Sequence, residues 1–440
     1  MELLYQKLKS LQEKKEPIKM GLVGCGQMGS GMVSLVSQMP GLEVAAVAEL
    51  DLERAKRAYE TAGVPEENIV VVDKPEKAEE LLRRGKVIIC KNALTLISTP
   101  SLQAVVEATG IPKVGAQVAL ECIFHQKHVI MLNVETEVTV GWILKKMADR
   151  ANVIYTVSAG DEPGAIKELY NFASSLGFSV VTAGKGKNNP LDFDATPDDC
   201  QEEALRKNMS PKMLNSFIDG TKTMIEMAAV ANATGLVPDV PGMHGPKVDV
   251  SELTQVLIPK KDGGILSESG VVDYSIGKVA PGVFLIVTTS KERIRKDLEY
   301  YGMGPGPYYL LYRPYHLCSI ETPLSVARAV LFNEPTLNSE QRVAEVVTVA
   351  KQNLDVGVSI DGIGGYHVLG RIYLAQEARK KNLLPLGLAE GARVKIRVAK
   401  GQYITLDMVE PETESTVYQL WKLQENLWQS DLKSKQVRQG

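Results

Sequence analysis

The chain has 440 residues, 44% of them hydrophobic and 23% charged, and a formal net charge of -3. That length exceeds what one core fills and implies two or three domains. The even charge balance gives no reason to expect a nucleic-acid or membrane partner. Five cysteines, Cys25, Cys90, Cys122, Cys200 and Cys318, form no CxxC pair, so reduced thiols in a cytoplasmic protein are expected.

The first twenty residues, MELLYQKLKSLQEKKEPIKM, are charged throughout and lack the apolar stretch of a signal peptide. Leu3, Leu4, Leu8 and Leu11 recur at helical spacing and predict a short amphipathic helix. No run approaches the ~18–20 apolar residues of a membrane span. Strand-like runs follow over 18–23, 42–48, 69–73, 86–90, 102–107 and 128–132, with helical periodicity over 30–38, 52–62 and 76–84. Such alternation predicts βαβ units and a mostly parallel sheet, an α/β fold.

Beyond Tyr155 the texture changes. SAGDEPG (158–164) opens a helix, a strand is expected over 178–182, and GKGKNNPLDFDATPDD (184–199) reads as a long polar loop. Helices are expected over 210–234 and 322–331. PGMHGPK (241–247) and YYGMGPGPYY (300–309) read as Gly/Pro-rich loops, and 383–410 as short strands with turns at Glu390-Gly391 and Lys400-Gly401.

The stretch GLVGCGQMGSGM contains a G-x-G-x-x-G that follows a strand and opens a helix, the context in which the motif binds a dinucleotide. Gly24 permits the tight turn, Gly26 admits a pyrophosphate to the backbone, and Gly29 lets helix and strand pack closely. Free amides of Gln27 and Met28 at the helix start would face the phosphates. Glu49 stands 20 residues past Gly29, where a carboxylate can hold the ribose 2′-hydroxyl. Asp51 is the fallback. A carboxylate there favours NAD, whereas Arg54 and Arg57 suit the extra phosphate of NADP, so both nucleotides stay open.

Candidates for the chemistry are sparser. Lys185 and Lys187 lie in the long, glycine-dense stretch, where a lysine can polarise a carbonyl or hold a phosphate; a solvated, flexible basic loop is the alternative. Asp161 and Glu162 precede Pro163, which helix capping also explains. Asp192 and Asp194 can share one face for a divalent cation, although turn chemistry accounts for them better. The five histidines show no zinc spacing. Among them His244 and His316 have basic neighbours suited to an anionic substrate. The aromatic run 300–316 lacks the basic stripe of a nucleic-acid surface.

Together EATG (107–110), KHVIMLNVETEVTVG (127–141), YTVSAGDEPG (155–164) and GKGKN (184–188) resemble the predicted homoserine dehydrogenases that carry a C-terminal SAF domain, one branch of which is the 1-deoxy-D-xylulose 5-phosphate reductoisomerase-like enzymes. The likeness covers most of the chain. It departs from homoserine dehydrogenases proper at Leu132-Asn133-Val134-Glu135, where those enzymes end a strand in Asn-Lys. The resemblance implies an N-terminal Rossmann domain over 1–155, an α+β domain for substrate and homo-oligomer contacts over 156–375, and a small β-rich SAF-like module over 376–440.

It further implies an NAD(P)-dependent oxidoreductase for a small polar hydroxy or keto metabolite, in the narrower form a reductase or reductoisomerase of a sugar-derived, phosphorylated ketone. Lys185 and Lys187 would act on the substrate oxygen or its anionic group. Asp161 or Glu135 would handle the proton or a Mg²⁺ or Mn²⁺ ion. Gly24, Gly26, Gln27, Met28, Gly29, Glu49, Thr109 and Asn133 would hold the dinucleotide. A homoserine dehydrogenase and a non-enzymatic NAD(P) sensor are the alternatives.

Overall fold

In the computed structural model, residues 2–188, 191–207 and 209–439 are described. Asn189 and Pro190, within the loop expected over 184–199, lie outside the described residues. The six strand-like runs become β1 (Ile18–Val23), β2 (Leu42–Ala48), β3 (Ile69–Val71), β4 (Val87–Cys90), β5 (Ala104–Glu107) and β6 (His128–Met131), and Tyr155–Val157 adds β7. They pair in parallel in the order β3-β4-β2-β1-β5-β6-β7. The expected helices form at Gln27–Val36, Leu52–Thr61 and Pro75–Arg83. The strand order reverses between β1 and β5, and the carboxyl ends at such a reversal form the crevice where open α/β sheets bind ligands.

The chain forms two compact units. The first comprises 1–161, 317–338 and 413–440; the second comprises 162–316 and 339–412. The core of the first joins Met20, Leu22, Met32, Val47, Ile89, Val106 and Ile130 with Leu4 and Leu8 of the N-terminal helix and with Val326 and Ala327 of the Cys318–Phe332 helix. A long C-terminal helix, Thr416–Gln439, belongs to this unit and was not foreseen in the sequence. From it the buried Gln424 reaches the Val134–Ala151 helix. Its Oε1 accepts from the Ile143 N–H at 3.2 Å and its Nε2 donates to the Thr139 carbonyl at 2.9 Å. An α-helix would pair that donor with that acceptor.

The second unit is built on β8 (Ser179–Lys187), β9 (Val237–Pro238), β10 (Val271–Ile276), β11 (Val283–Thr288) and β12 (Tyr308–Arg313), ordered β12-β11-β8-β10-β9. β8 pairs in parallel with β10 and antiparallel with β11. β13 (Ala344–Ala350) and β14 (Val368–Leu374) form a hairpin-like antiparallel pair. The 383–410 stretch bridges back to Val347, Val349, Leu354 and Ser359, so it does not stand apart as a self-contained segment. Gly391 and Gly401 both take φ of +80° at the expected turns. Of the segment 376–440, residues up to 412 lie in the second unit and the remainder in the first.

Three expectations are corrected here. The strand expected to end at Thr182 runs on to Lys187, because backbone pairing with both neighbours continues past the glycines. The 300–309 stretch is not all loop: Tyr308 begins β12, and Tyr308 and Tyr312 pack on an apolar layer. The helix expected over 210–234 is two, Pro211–Ile218 and Thr221–Thr234, separated at Asp219 and at Gly220, which has φ of +83°. Asp219 makes that break by turning its side chain onto the Thr221 N–H at 2.9 Å.

Candidate functional site

At the end of β1 the glycines divide the work as their environments dictate. Gly24 takes φ of +91°, where a side chain is strained. A Cβ on Gly29 would lie 2.3 Å from the Gly24 carbonyl oxygen, so only glycine lets the helix pack against the turn. A Cβ on Gly26 would meet nothing within 4 Å, which leaves open space over the backbone. The Gln27–Val36 helix has no side-chain cap at Gly26, and Gly26, Gln27 and Met28 are exposed. Its first amides thus point at an uncapped, partly positive helix end. These features fit the pyrophosphate of a dinucleotide.

Glu49, just past β2, accepts from the Cys25 N–H at 2.7 Å and from the Asp51 N–H at 3.1 Å. Arg54 and Arg57 come within 3.8 and 4.0 Å of Asp51, and Arg54 within 3.8 Å of Glu49. The carboxylate therefore braces the glycine turn. Thr109 follows β5, where its N–H donates to Glu107 at 2.9 Å. Glu107 is fully buried, and burial pushes its carboxyl up to about 7. It went unnoticed as a site residue, although an acid closing the run AVVE was the available signal. Asn133 is fully buried; its Oδ1 caps the 134–151 helix at the Thr136 N–H (3.0 Å) and its Nδ2 donates to the Ile111 carbonyl. Glu135 is buried in the first turn of the same helix.

In the second unit the alternation along β8 explains the glycine-lysine repeat. Successive side chains of a strand face opposite ways. Thr182, Gly184 and Gly186 face an apolar layer. Thr182 donates to the Leu257 carbonyl at 2.7 Å, a Cβ on Gly184 would strike the Phe284 ring at 2.5 Å, and one on Gly186 would lie 2.1 Å from the Ala280 nitrogen. Lys185 and Lys187 face the helices instead and are buried. The segment is thus a strand and not the solvated basic loop that was the alternative, with glycines placed for close packing.

Lys185 Nζ donates to Glu162 Oε1 at 2.5 Å and to Glu226 Oε2. Glu162 opens the Glu162–Ser175 helix and Glu226 sits within Thr221–Thr234. Burial opposes the Lys185 charge, but the two carboxylates outweigh it and hold the ammonium well above the usual lysine range. His316 places Nδ1 2.7 Å from the Pro281 carbonyl, which makes Nδ1 the protonated nitrogen, and Nε2 3.4 Å from Glu162 Oε1.

Lys187 Nζ donates to the carbonyl of Phe217, in the last turn of the Pro211–Ile218 helix. Helix carbonyls at that end lack intrahelical donors and favour a cation. Beside it Asp219 pairs with Lys351 at 2.9 Å, and Lys351 also donates to the carbonyls of Ala195 (2.5 Å) and Gly365 (3.3 Å). Burial first, and then the charge of Lys185, push Lys187 down to about 8, against the pull of Glu226 and Asp219.

The other candidates have partners of their own. Asp161 accepts from the Cys318 thiol at 3.0 Å; Glu162, its neighbour, is the acid on the lysine. His244 is bound to Asp239 at 2.7 Å. Asp192 closes a turn on the Asp194 N–H at 3.0 Å, while Asp194 pairs with Lys400, so the turn reading of these aspartates holds. Glu162 and Glu226 both carry the ammonium of Lys185. Glu226, Asp219 and Lys351 were missed in the sequence. A lone acid in the apolar run TMIEMAAVA was the one available signal.

Residues 24–158 match the family described as "Homoserine dehydrogenase, NAD binding domain", and residues 160–322 match "Oxidoreductase DRL, catalytic domain". Among curated proteins none matches. Similar solved structures include a probable dehydrogenase from Thermotoga maritima, 14% identical over 73% of this chain and 91% of that one, with a TM-score of 0.43. Another is a putative myo-inositol dehydrogenase from Sinorhizobium meliloti 1021, 11% identical over 74% and 92%, TM-score 0.38. A third is a scyllo-inositol dehydrogenase from Lactobacillus casei with bound NAD(H) and scyllo-inositol, 11% identical over 68% and 76%, TM-score 0.37. Among the described residues no helix is long and apolar enough to cross a membrane. The two domain matches, with the glycine turn in one and the buried lysines in the other, make the chain an NAD(P)-dependent oxidoreductase.

Proposed function

We propose that this oxidoreductase moves hydride between nicotinamide and a small, polar, oxygen-rich hydroxy or keto metabolite. The narrower reading is the reduction, or reductive isomerisation, of a sugar-derived ketone that bears a phosphate. One observation carries it: two buried lysines share one strand face, within the segment matched by an oxidoreductase catalytic domain. Ammonium groups withdrawn from water polarise a carbonyl oxygen and bind an anionic substituent far better than solvated ones.

The Gly24–Gly29 turn and the first amides of the Gln27–Val36 helix would hold the pyrophosphate, with Glu49 at the ribose. The bound dinucleotide supplies or takes the hydride. Lys185, fixed by Glu162 and Glu226, would orient and polarise the substrate oxygen, and Lys187 would bear on the same oxygen or the anionic group. Asp161 and Glu135 stay in the proposal as secondary proton carriers, and Thr109 and Asn133 as groups lining the dinucleotide end of the sheet. The stretch 383–410 would be the SAF-like part of the second unit. Assembly as a homo-oligomer and residence in the cytoplasm belong to the same proposal.

The test is a fluorescence titration with NADH and NADPH, then a panel of carbonyl compounds, among them pentulose phosphates and aspartate semialdehyde, with and without Mg²⁺ or Mn²⁺. Oxidation of the nucleotide by a phosphorylated ketone is the expected result. Turnover of aspartate semialdehyde and homoserine alone would make the chain a homoserine dehydrogenase. Tight binding with no turnover would sink the substrate class proposed here.

A further inference from the structure

The two lysines stand one residue apart on β8, yet their surroundings differ in kind. Lys185 is clamped by two carboxylates. Lys187 is 4% exposed, and among the described residues its Nζ donates to a single backbone carbonyl, that of Phe217. An ammonium has three N–H donors. A buried lysine that satisfies one of them inside the protein has two left for something that binds. The charged groups acting on it are Lys185 on its own strand, Glu226 on the Thr221–Thr234 helix and Asp219 at the helix break. Behind these, Glu162 holds Lys185 and Lys351 holds Asp219.

We infer that Lys187 is the group that exchanges the proton with the substrate oxygen, that Lys185 stays a cation throughout, and that Asp219, fixed by Lys351, is a positioning residue for Lys187. This rests on the function proposed above. In the reducing direction the carbonyl carbon receives hydride, two electrons and a hydrogen nucleus, from the reduced dinucleotide. The carbonyl oxygen receives a proton from Lys187 Nζ. The C=O π bond is replaced by C–H and O–H bonds, and the neutral amine regains its proton from water. Two titratable groups of one type, pushed apart by their environments, thereby divide the roles of fixed electrophile and acid–base group. The depressed ionisation of Lys187, near 8, suits the second role.

Two measurements on the full chain test this. The first is an NMR titration of protein labelled with ¹³C at lysine Cε, read between pH 6 and 11 and independent of turnover. One lysine resonance should titrate near pH 8 and vanish in both Lys187→Arg and Lys187→Met. In Asp219→Asn or Glu226→Gln it should titrate at lower pH, because each removes a negative charge that favours the ammonium. These shifts read the ionisation of Lys187 and the charges that set it; the rate profile reads its role.

The second is the pH dependence of dinucleotide oxidation with the active carbonyl compound. The rate should fall above about pH 8. Lys187→Arg, which keeps the charge but cannot release a proton, should lose about a hundredfold or more together with that limb. Lys185→Arg should keep the limb. A Lys187 resonance that titrates above pH 10, or a limb that survives Lys187→Arg, overturns the inference. A panel in which no carbonyl compound is reduced overturns the proposed function, and takes the proton's recipient with it, while the NMR titration still decides the ionisation of Lys187.

Discussion

Replacing Lys187 by methionine should stabilise the protein at neutral pH, the opposite of what removing a buried, bonded side chain normally does. Burial and the adjacent Lys185 charge lower its ionisation from 10.5 to about 8. At about 1.4 kcal/mol per pH unit, keeping that charge in the fold costs about 3 kcal/mol at pH 7. Methionine preserves most of the stem and removes the charge. It also removes the bond to the Phe217 carbonyl, worth about 1 kcal/mol, so a net gain of about 2 kcal/mol is expected. The folded-state value lies below the unfolded one, so the cost is complete below pH 8 and fades as pH rises from 8 to 10.5. The variant's advantage must shrink over the same interval. Urea unfolding of both proteins at pH 7, 8 and 9.5 measures it. A variant no more stable than wild type at pH 7, or an advantage indifferent to pH, would refute the reasoning.

Gly26→Ala should fold normally, since the added methyl meets open space, yet bind NADH and NADPH at least tenfold more weakly by fluorescence titration. Gly29→Ala should instead lower stability by about 2–3 kcal/mol in a urea melt, because its methyl meets a backbone oxygen that cannot move aside. Gly186→Ala should destabilise the second unit by a similar ~2–3 kcal/mol, its methyl running into the backbone at Ala280. Gln424→Leu should cost about 2 kcal/mol, since the Ile143 N–H and the Thr139 carbonyl lose the glutamine amide. Hydrogen exchange at Ile143 should quicken in that variant.

The parallel sheet was legible because six of its seven strands are short apolar runs with their own punctuation; Tyr155–Val157 carries no such signal. Ile18–Val23 and Leu42–Ala48 appear with the expected bounds. The glycine turn was legible for the same local reason. The lysine site was not. Its glycine-lysine alternation has a strand's period of two, but with no apolar member the period is silent in hydrophobicity. The partners of Lys185 lie 23 and 41 residues away in sequence, and no local rule connects them. Asp219-Gly220 sits between two strong helical patterns and reads as their interior, until the Lys351 ion pair and the Thr221 cap show why the chain turns there. The C-terminal helix was hidden by a mixed polar and apolar surface of weak amphipathic pattern.

The order in which the chain leaves the ribosome bears on how it can fold. The first unit begins the sequence but needs residues 317–338 and 413–440, and the second needs 339–412. Synthesis therefore completes the second unit before the first. The parallel sheet, whose strands are all made by Val157, must wait with an unfinished surface until the Thr416–Gln439 helix and its Gln424 emerge. Domains normally settle from the N-terminus onward during synthesis; here the parallel sheet, made before the second unit, is sealed after it. A nascent chain halted before residue 413 would carry a finished lysine site and a dinucleotide fold still open, and would be the species most exposed to chaperones and proteases.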